Sequence, residues 1–332
     1  MSSGSGVSAR TSRAAAPVRL TPGEVVVEVV RNGVVEGLHH GHAVVVGSGG
    51  EVLAQVGRPE QPVLARSALK PLQAVGLLGA GLDLPAARLA LACASHAGTA
   101  EHVAAVRRLL TAYDVDEAAL QCPADRPLDD AAWAAVLAMG AGPQPILMNC
   151  SGKHAAFLAA CRVNGWPLGS YLDPDHPLQR HLTVAVDEQS GPLAAVAVDG
   201  CGAPAFAVAL VALARAFAGL VDAADGAPRR VADAMRAHPG LVGGPGRSAT
   251  TLMQARPGLL AKEGAEGVWA AAVPGLGAVA LKIDDGAGRA ADRLLLAALA
   301  RLGVEDTAFG AAPVLGGGRP VGVVRVRPGL FD

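Results

Sequence analysis

Apolar and polar positions divide the chain into stretches of different rhythm. Val25 to Val30 is valine throughout except for Glu28, and His42 to Gly47 and Val52 to Val56 follow with glycines between them. Short β-branched runs bounded by turn residues predict an antiparallel meander. The rhythm turns helical from Ser67 to Leu78, with Pro71 in or near the first turn, where proline does least damage. Ala90 to Ala94 reads as a short apolar strand leading into Ser95-His96-Ala97-Gly98. Further helices are predicted over Ala100 to Ala112, Asp129 to Met139, Gly152 to Val163 with Ser151 near the N-cap, Leu178 to Asp187, and Pro204 to Phe217. Strands return at Val268 to Val273, Gly277 to Ile283 and Val321 to Val326, with a helix from Arg289 to Leu302 between the last two. Strands at both ends and helices between them predict an α+β layout. The N- and C-terminal strands share one antiparallel sheet, and the helical middle packs at its side. Alternating β-α-β units are not apparent. The glycine clusters at Gly243-Gly244-Pro245-Gly246 and Gly316 to Gly318 lack the Gly-Lys-Ser/Thr that ends a phosphate-binding loop.

Composition narrows the function classes. The chain has 332 residues, 51% of them hydrophobic, enough for a substantial core. Charged residues make up only 17% and the net charge is −1, so no basic field exists to hold a nucleic acid or a membrane surface. Aromatics at 3% leave little for base stacking. No apolar run is long enough to span a bilayer. Residues 1–22 are rich in Ser, Ala, Gly and Arg without an apolar core, which predicts a disordered tail and a cytoplasmic protein. No repeat or linker divides the remainder, so 23–332 is expected to form one catalytic domain. Five cysteines, an odd number, argue for thiol or metal roles and against a disulfide framework.

The candidate chemistry lies in five short stretches. In Arg66-Ser67-Ala68-Leu69-Lys70-Pro71, a hydroxyl and an amine stand three residues apart at a helix start. Positions i and i+3 share a helix face, so a neutral Lys70 can take the proton that Ser67 must lose to attack. Ser95 sits in a turn of small residues suited to a cleft. Cys150 and Lys153 are again three apart, followed by His154. Asp199-Gly200-Cys201-Gly202 presents a thiol on a tight turn. From spacing alone Cys150 and Cys201 are candidates for one metal or one substrate, and the stronger zinc signal, Cys-x-x-Cys, is absent. Lys282 ends a strand before the acidic turn Asp284-Asp285-Gly286 and reads either as an active-site cation or as an edge-strand guard.

Taken together these stretches resemble one family, the bacterial asparaginase II group of the thermolabile, rhizobial type. Its fold is similar to the serine β-lactamases and glutaminases. The resemblance runs from Glu36 and His39 through Arg66 to Gln73, Ser95-His96, Cys150 to His154 and Asp199 to Gly202. It ends with Lys262 to Gly267 and Lys282 to Gly286. It implies hydrolysis of L-asparagine to aspartate and ammonia, with Ser67 as nucleophile and Lys70 as base. It implies a second pair, Ser95 with Lys282, and a zinc site of Cys150, Lys153 and Cys201 that orients substrate. Arg66, His154 and Asp199 are the candidates for holding the substrate, and a homodimer is expected. A glutaminase-like or β-lactamase-like hydrolase is the alternative, although the Ser-Asp-Asn and Lys-Thr-Gly partners of lactamases are missing. A non-catalytic amino-acid- or metal-binding homologue is the alternative from another class.

Overall fold

The computed structural model describes residues 18–305, 309 and 312–331. Its strands in order along the sequence are β1 (Glu24–Arg31), β2 (Val34–Gly47), β3 (Val52–Val56), β4 (Pro62–Leu64), β5 (Ala195–Val198), β6 (Pro204–Ala209), β7 (Leu260–Gly264), β8 (Val268–Val273), β9 (Gly277–Ile283), β10 (Pro313–Gly316) and β11 (Arg319–Val326). The main sheet runs β10-β11-β1-β2-β9-β8-β7, with β3 also paired to β2. Every pair in it is antiparallel. Strands from the two ends of the chain therefore do meet in one sheet, and the α+β expectation holds. β8 and β9 are buried along their whole length, and their Ala-, Val- and Leu-rich sequences suit strands covered on both faces. Helices Leu210–Asp222 and Gly288–Ala300 pack against these central strands.

A small second sheet, β4-β6-β5, stands apart from the main one. Here the structure corrects the expected helix over Pro204 to Phe217: Pro204–Ala209 is a strand, and the helix begins only at Leu210. All but the last residue of β6 are buried, so the segment carries no polar face to mark its period, and a short apolar run of this kind is ambiguous between strand and helix. The converse correction falls on Ala90 to Ala94, which belongs to the helix Ala86–Ala92 and the turn after it. Ser151 is the first residue of helix Ser151–Asn164, and Cys150 takes the cap position.

Residues 1–17 of the expected tail lie outside the described residues. Within the rest of that stretch, Thr21 contacts Gln61 and His42. Its N–H donates to Gln61 Oε1 at 2.9 Å, and its carbonyl lies 3.0 Å from His42 Nε2.

Two glycines bring the elements of the site together. A Cβ at Gly152 would stand 2.6 Å from the Leu91 carbonyl, so only glycine lets helix Ser151–Asn164 cross the Ala86–Ala92 helix this closely. A Cβ at Gly264 would meet the Ala65 carbonyl at 2.6 Å, so the end of β7 lies directly on the backbone that precedes Ser67.

Candidate active site

Ser67 lies in a 3₁₀ turn, Arg66–Leu69, that runs straight into the α-helix Lys70–Gly79. Its neighbour Arg66 adopts a φ of 51°, in the left-handed region that costs a non-glycine residue about 1–3 kcal/mol. The strained turn is held by an ion pair: Arg66 Nε lies 2.7 Å from Asp199 Oδ1. Asp199 also accepts the Gly200 N–H at 2.8 Å, in the turn that carries Cys201. Burial alone would raise the Asp199 carboxyl, but Lys153, the Arg66 guanidinium and the Gly200 N–H hold it below the usual carboxylate range.

Ser67 and Lys70 share a narrow cleft with Arg66, Gln73, Lys153, Asp199 and the β6 residues Pro204, Ala205 and Phe206. Its free space is about 10 Å³, close to that of a single water. Ser67 is half-buried, and among the described residues its hydroxyl makes no hydrogen bond. Lys70 is buried behind it. Its Nζ donates to the Ala94 carbonyl at 2.5 Å, to Ser95 Oγ at 3.0 Å and to Cys150 Sγ at 3.1 Å. The sequence places Lys70 one turn along from Ser67, and the fold then points the amine inward at a second hydroxyl.

That second hydroxyl has a different partner from the expected one. Ser95 Oγ accepts from Lys262 Nζ at 2.9 Å. Lys282 Nζ instead donates to the carbonyls of Glu266 and Ile283, each at 2.6 Å. Lys262 is fully buried, and burial is the main force that pushes its ammonium down to about 7. Lys70 and Arg247 add to that, while Glu263 and the nearby Cys150 work against it. Lys262 is a candidate that reading the motifs one by one missed, although it opens the stretch Lys262-Glu263-Gly264 within the resemblance. The signal was a lysine that follows the apolar pair Leu260-Ala261 in a short strand ending at Glu263 and Gly264.

Ser95 thus bridges two amines, Lys70 and Lys262. His96 next to it is buried, and its Nε2 donates to Ser151 Oγ at 3.0 Å while Ser151 donates to the Ile146 carbonyl. Burial, with His102 and Lys70 nearby, keeps the His96 ring neutral.

The three predicted metal ligands also converge. Lys153 Nζ lies 3.1 Å from Cys201 Sγ, and the Cys201 thiol hydrogen-bonds Cys150. That bond is the largest influence favouring the Cys150 thiolate; burial opposes it, and Lys70 and Lys153 reinforce it. Cys201 correspondingly keeps its proton, because it donates to Cys150 and is buried. Burial opposes the Lys153 charge, but the two sulfurs and Asp199 outweigh it and raise the ammonium. Among the described residues no three His, Cys, Asp or Glu side chains are placed to share a metal. This trio has only two of those types and takes its third donor from a lysine. Two sulfurs and one nitrogen within hydrogen-bond range fit zinc, and the protons now on Cys201 and Lys153 are the ones a dication would displace.

His154 is not brought to the cleft. It is buried, with Nδ1 2.7 Å from the Tyr171 hydroxyl and its ring edge-on to Tyr171. Glu36 and His39 are also remote in their contacts: Glu36 pairs with Arg31 at 2.8 Å, and His39 with Asp285 at 2.7 Å.

The sequence profile described as L-asparaginase II matches residues 27–326, and the chain belongs to that family. It is thereby a hydrolase of the asparaginase type, acting on amides. No curated protein matches it. A solved structure titled as a β-lactamase from Mycobacterium bovis aligns at 18% identity with a TM-score of 0.48, covering 80% of this chain and 95% of that one. A likeness that slight bears on neither mechanism nor substrate. Among the described residues no helix is long and apolar enough to cross a membrane.

Proposed function

We propose that the protein hydrolyses L-asparagine to L-aspartate and ammonia, with Ser67 as the nucleophile. The observation that carries this reading is the relay Lys70–Ser95–Lys262, which leads from the cleft to a buried amine able to exchange a proton near neutrality. Ser67 Oγ attacks the carboxamide carbon of the asparagine side chain, and its proton passes to Lys70 one turn along the helix. Lys70 must be neutral to receive it, and Ser95 connects it to Lys262 for that exchange. The same relay returns a proton to the departing ammonia, and water then hydrolyses the acyl-serine by the reverse path. The Ser67 N–H, at the start of its helix, supplies one oxyanion contact. Arg66 and Asp199, paired at the mouth, offer opposite charges for the α-carboxylate and α-ammonium of the substrate.

Zinc held by Cys150, Lys153 and Cys201 would supply a Lewis-acid contact that orients a substrate oxygen. The protein is expected to act as a cytoplasmic homodimer.

The test is ammonia release from asparagine and glutamine by the purified protein and by Ser67→Ala. Hydrolysis of asparagine that disappears in a folded Ser67→Ala supports the reading. Activity that survives the substitution removes Ser67 from the mechanism, and no activity on either amide removes the reading itself.

A further inference from the structure

The cleft beside Ser67 has room for little more than a water, yet it adjoins a larger, mostly apolar hollow. A cavity of about 400 Å³ lies on the other side of Arg66, within the range of roughly 300–1,000 Å³ usual for small-molecule sites. Two elements join the spaces. Arg66 lines both, and on β6 Ala205 faces the cleft while Ala207, two residues on and on the same strand face, lines the cavity. Its other apolar walls include Val18, Leu20, Val63, Leu64, Ala195 and Ala197. Its polar groups are Arg66, Glu266 and Lys282.

Free asparagine has nothing to place in such a cavity. On the proposed mechanism the leaving ammonia takes its proton from the relay at Ser95, which leaves the cavity for the part of the substrate beyond the α-carbon. Among the described residues Arg66 uses only Nε for Asp199, which leaves its terminal nitrogens for a carboxylate. An α-carboxylate on Arg66 directs the α-nitrogen, and whatever is attached to it, past Asp199 toward the cavity. A residue joined there would set its side chain against Leu64 and the alanines and its own α-ammonium near the Glu266 carboxylate.

We propose that the site deamidates asparagine at the C-terminus of a short peptide, with an apolar residue before it seated in this cavity. Water is added, the carboxamide C–N bond breaks, ammonia leaves, and the peptide ends in aspartate with its peptide bond intact. The proposal rests on Ser67-centred amide hydrolysis but not on free asparagine being the preferred substrate.

The experiment compares kcat/KM for ammonia release from L-asparagine, glycyl-asparagine and leucyl-asparagine, with products identified by mass. The expected result is a preference for leucyl- over glycyl-asparagine of roughly tenfold or more, the value of one buried apolar side chain, with leucyl-aspartate as product. Ala197→Phe, which fills the cavity, should pull that ratio toward one; Ala195→Met serves if the first variant does not fold. Equal rates on the two peptides, a ratio indifferent to cavity filling, or cleavage of the peptide bond overturns the proposal. Turnover of asparagine without either peptide defeats it while leaving the asparaginase reading intact. Turnover of leucyl-asparagine without asparagine supports it and defeats that reading's substrate. Inactivity on all three defeats both.

Discussion

Lys262→Met should abolish activity and yet stabilise the protein below neutrality. The lysine is fully buried, and its ammonium is pushed from 10.5 down to about 7. A shift of that size corresponds to about 5 kcal/mol against burying the charge. The folded-state value lies below the unfolded one, so between pH 7 and pH 10.5 the unfolded protein holds a proton that the folded one lacks. Stability therefore rises with pH through that window, and the lysine's penalty is complete below about 7. Methionine has nearly the same length and no charge. It removes the penalty, but takes a donor from the Glu263 carbonyl and leaves Ser95 Oγ with Lys70 alone, a loss of about 1–3 kcal/mol. At about pH 6 the variant should be the more stable protein by a few kcal/mol, and near pH 10 the less stable. Urea unfolding across that range reads the sign change directly. Ammonia release should fall by about 10²–10⁴-fold at every pH, and the wild-type rate should climb as pH rises through about 7. Parallel stability curves for the two proteins, or an unchanged pH–rate profile in the variant, would refute the assignment of Lys262 as the titrating partner of Ser95.

Ser67→Ala should retain less than about a tenth of the wild-type rate, a loss above roughly 1.4 kcal/mol of barrier lowering, while its circular dichroism is unchanged. Lys70→Arg should be nearly as damaging as Lys70→Met, because arginine keeps the charge but cannot give up its proton; an active Lys70→Arg would mean that charge alone suffices. Lys282→Met should cost far less activity than Lys262→Met, since Lys282 donates to two backbone carbonyls and not to Ser95; equal losses would return Lys282 to the proton path. Protein purified without added metal should carry near-stoichiometric zinc by elemental analysis, falling sharply in Cys150→Ala and Cys201→Ala. Zinc indifferent to both changes sinks the Cys150–Lys153–Cys201 site, and where zinc is present chelation should raise KM more than it lowers kcat.

How much of this was legible in the sequence depends on whether the determining contacts were local. The Ser67–Lys70 spacing, the Cys150–Lys153 spacing and the turn around Cys201 are each set within a few residues, and the fold gathers all of them around one cleft. β8 and β9 were likewise legible, because each is a short and almost wholly apolar run next to a glycine turn, broken in β9 by Lys282 alone. β6 was not, because Pro204–Ala209 and the helix after it share one apolar run, and only pairing with β4 and β5 separates them. His154 lies away from the cleft for a related reason. It follows Lys153 directly, and adjacent helix positions point about 100° apart, so one faces the cleft while the next faces Tyr171.

The choice between Lys262 and Lys282 shows where such local reading stops. Both lysines lie in short strands that lead into acidic, glycine-containing turns, and their local sequences do not tell them apart. The register does. Lys262 on β7 pairs with Ala270 on β8, and Ala270 pairs with Ala280 on β9, two residues short of Lys282. An offset of two keeps both side chains on the same face of the sheet. Two strand spacings across and two residues along set their anchors about 12 Å apart, and the two amines take different partners: Lys262 reaches Ser95, and Lys282 reaches the carbonyls of Glu266 and Ile283. Gly264 then decides between them, because its missing side chain lets the end of β7 settle on the Ala65 carbonyl, within reach of the nucleophile's helix. Lys262 is delivered to Ser95 and buried there, where it loses its charge near neutrality, whereas Lys282 stays at the cavity rim with backbone carbonyls and the carboxylates of Asp284 and Glu266 around it. On the proposed mechanism, the lysine that moves a proton and the lysine that holds backbone carbonyls thus stand only two residues of register apart.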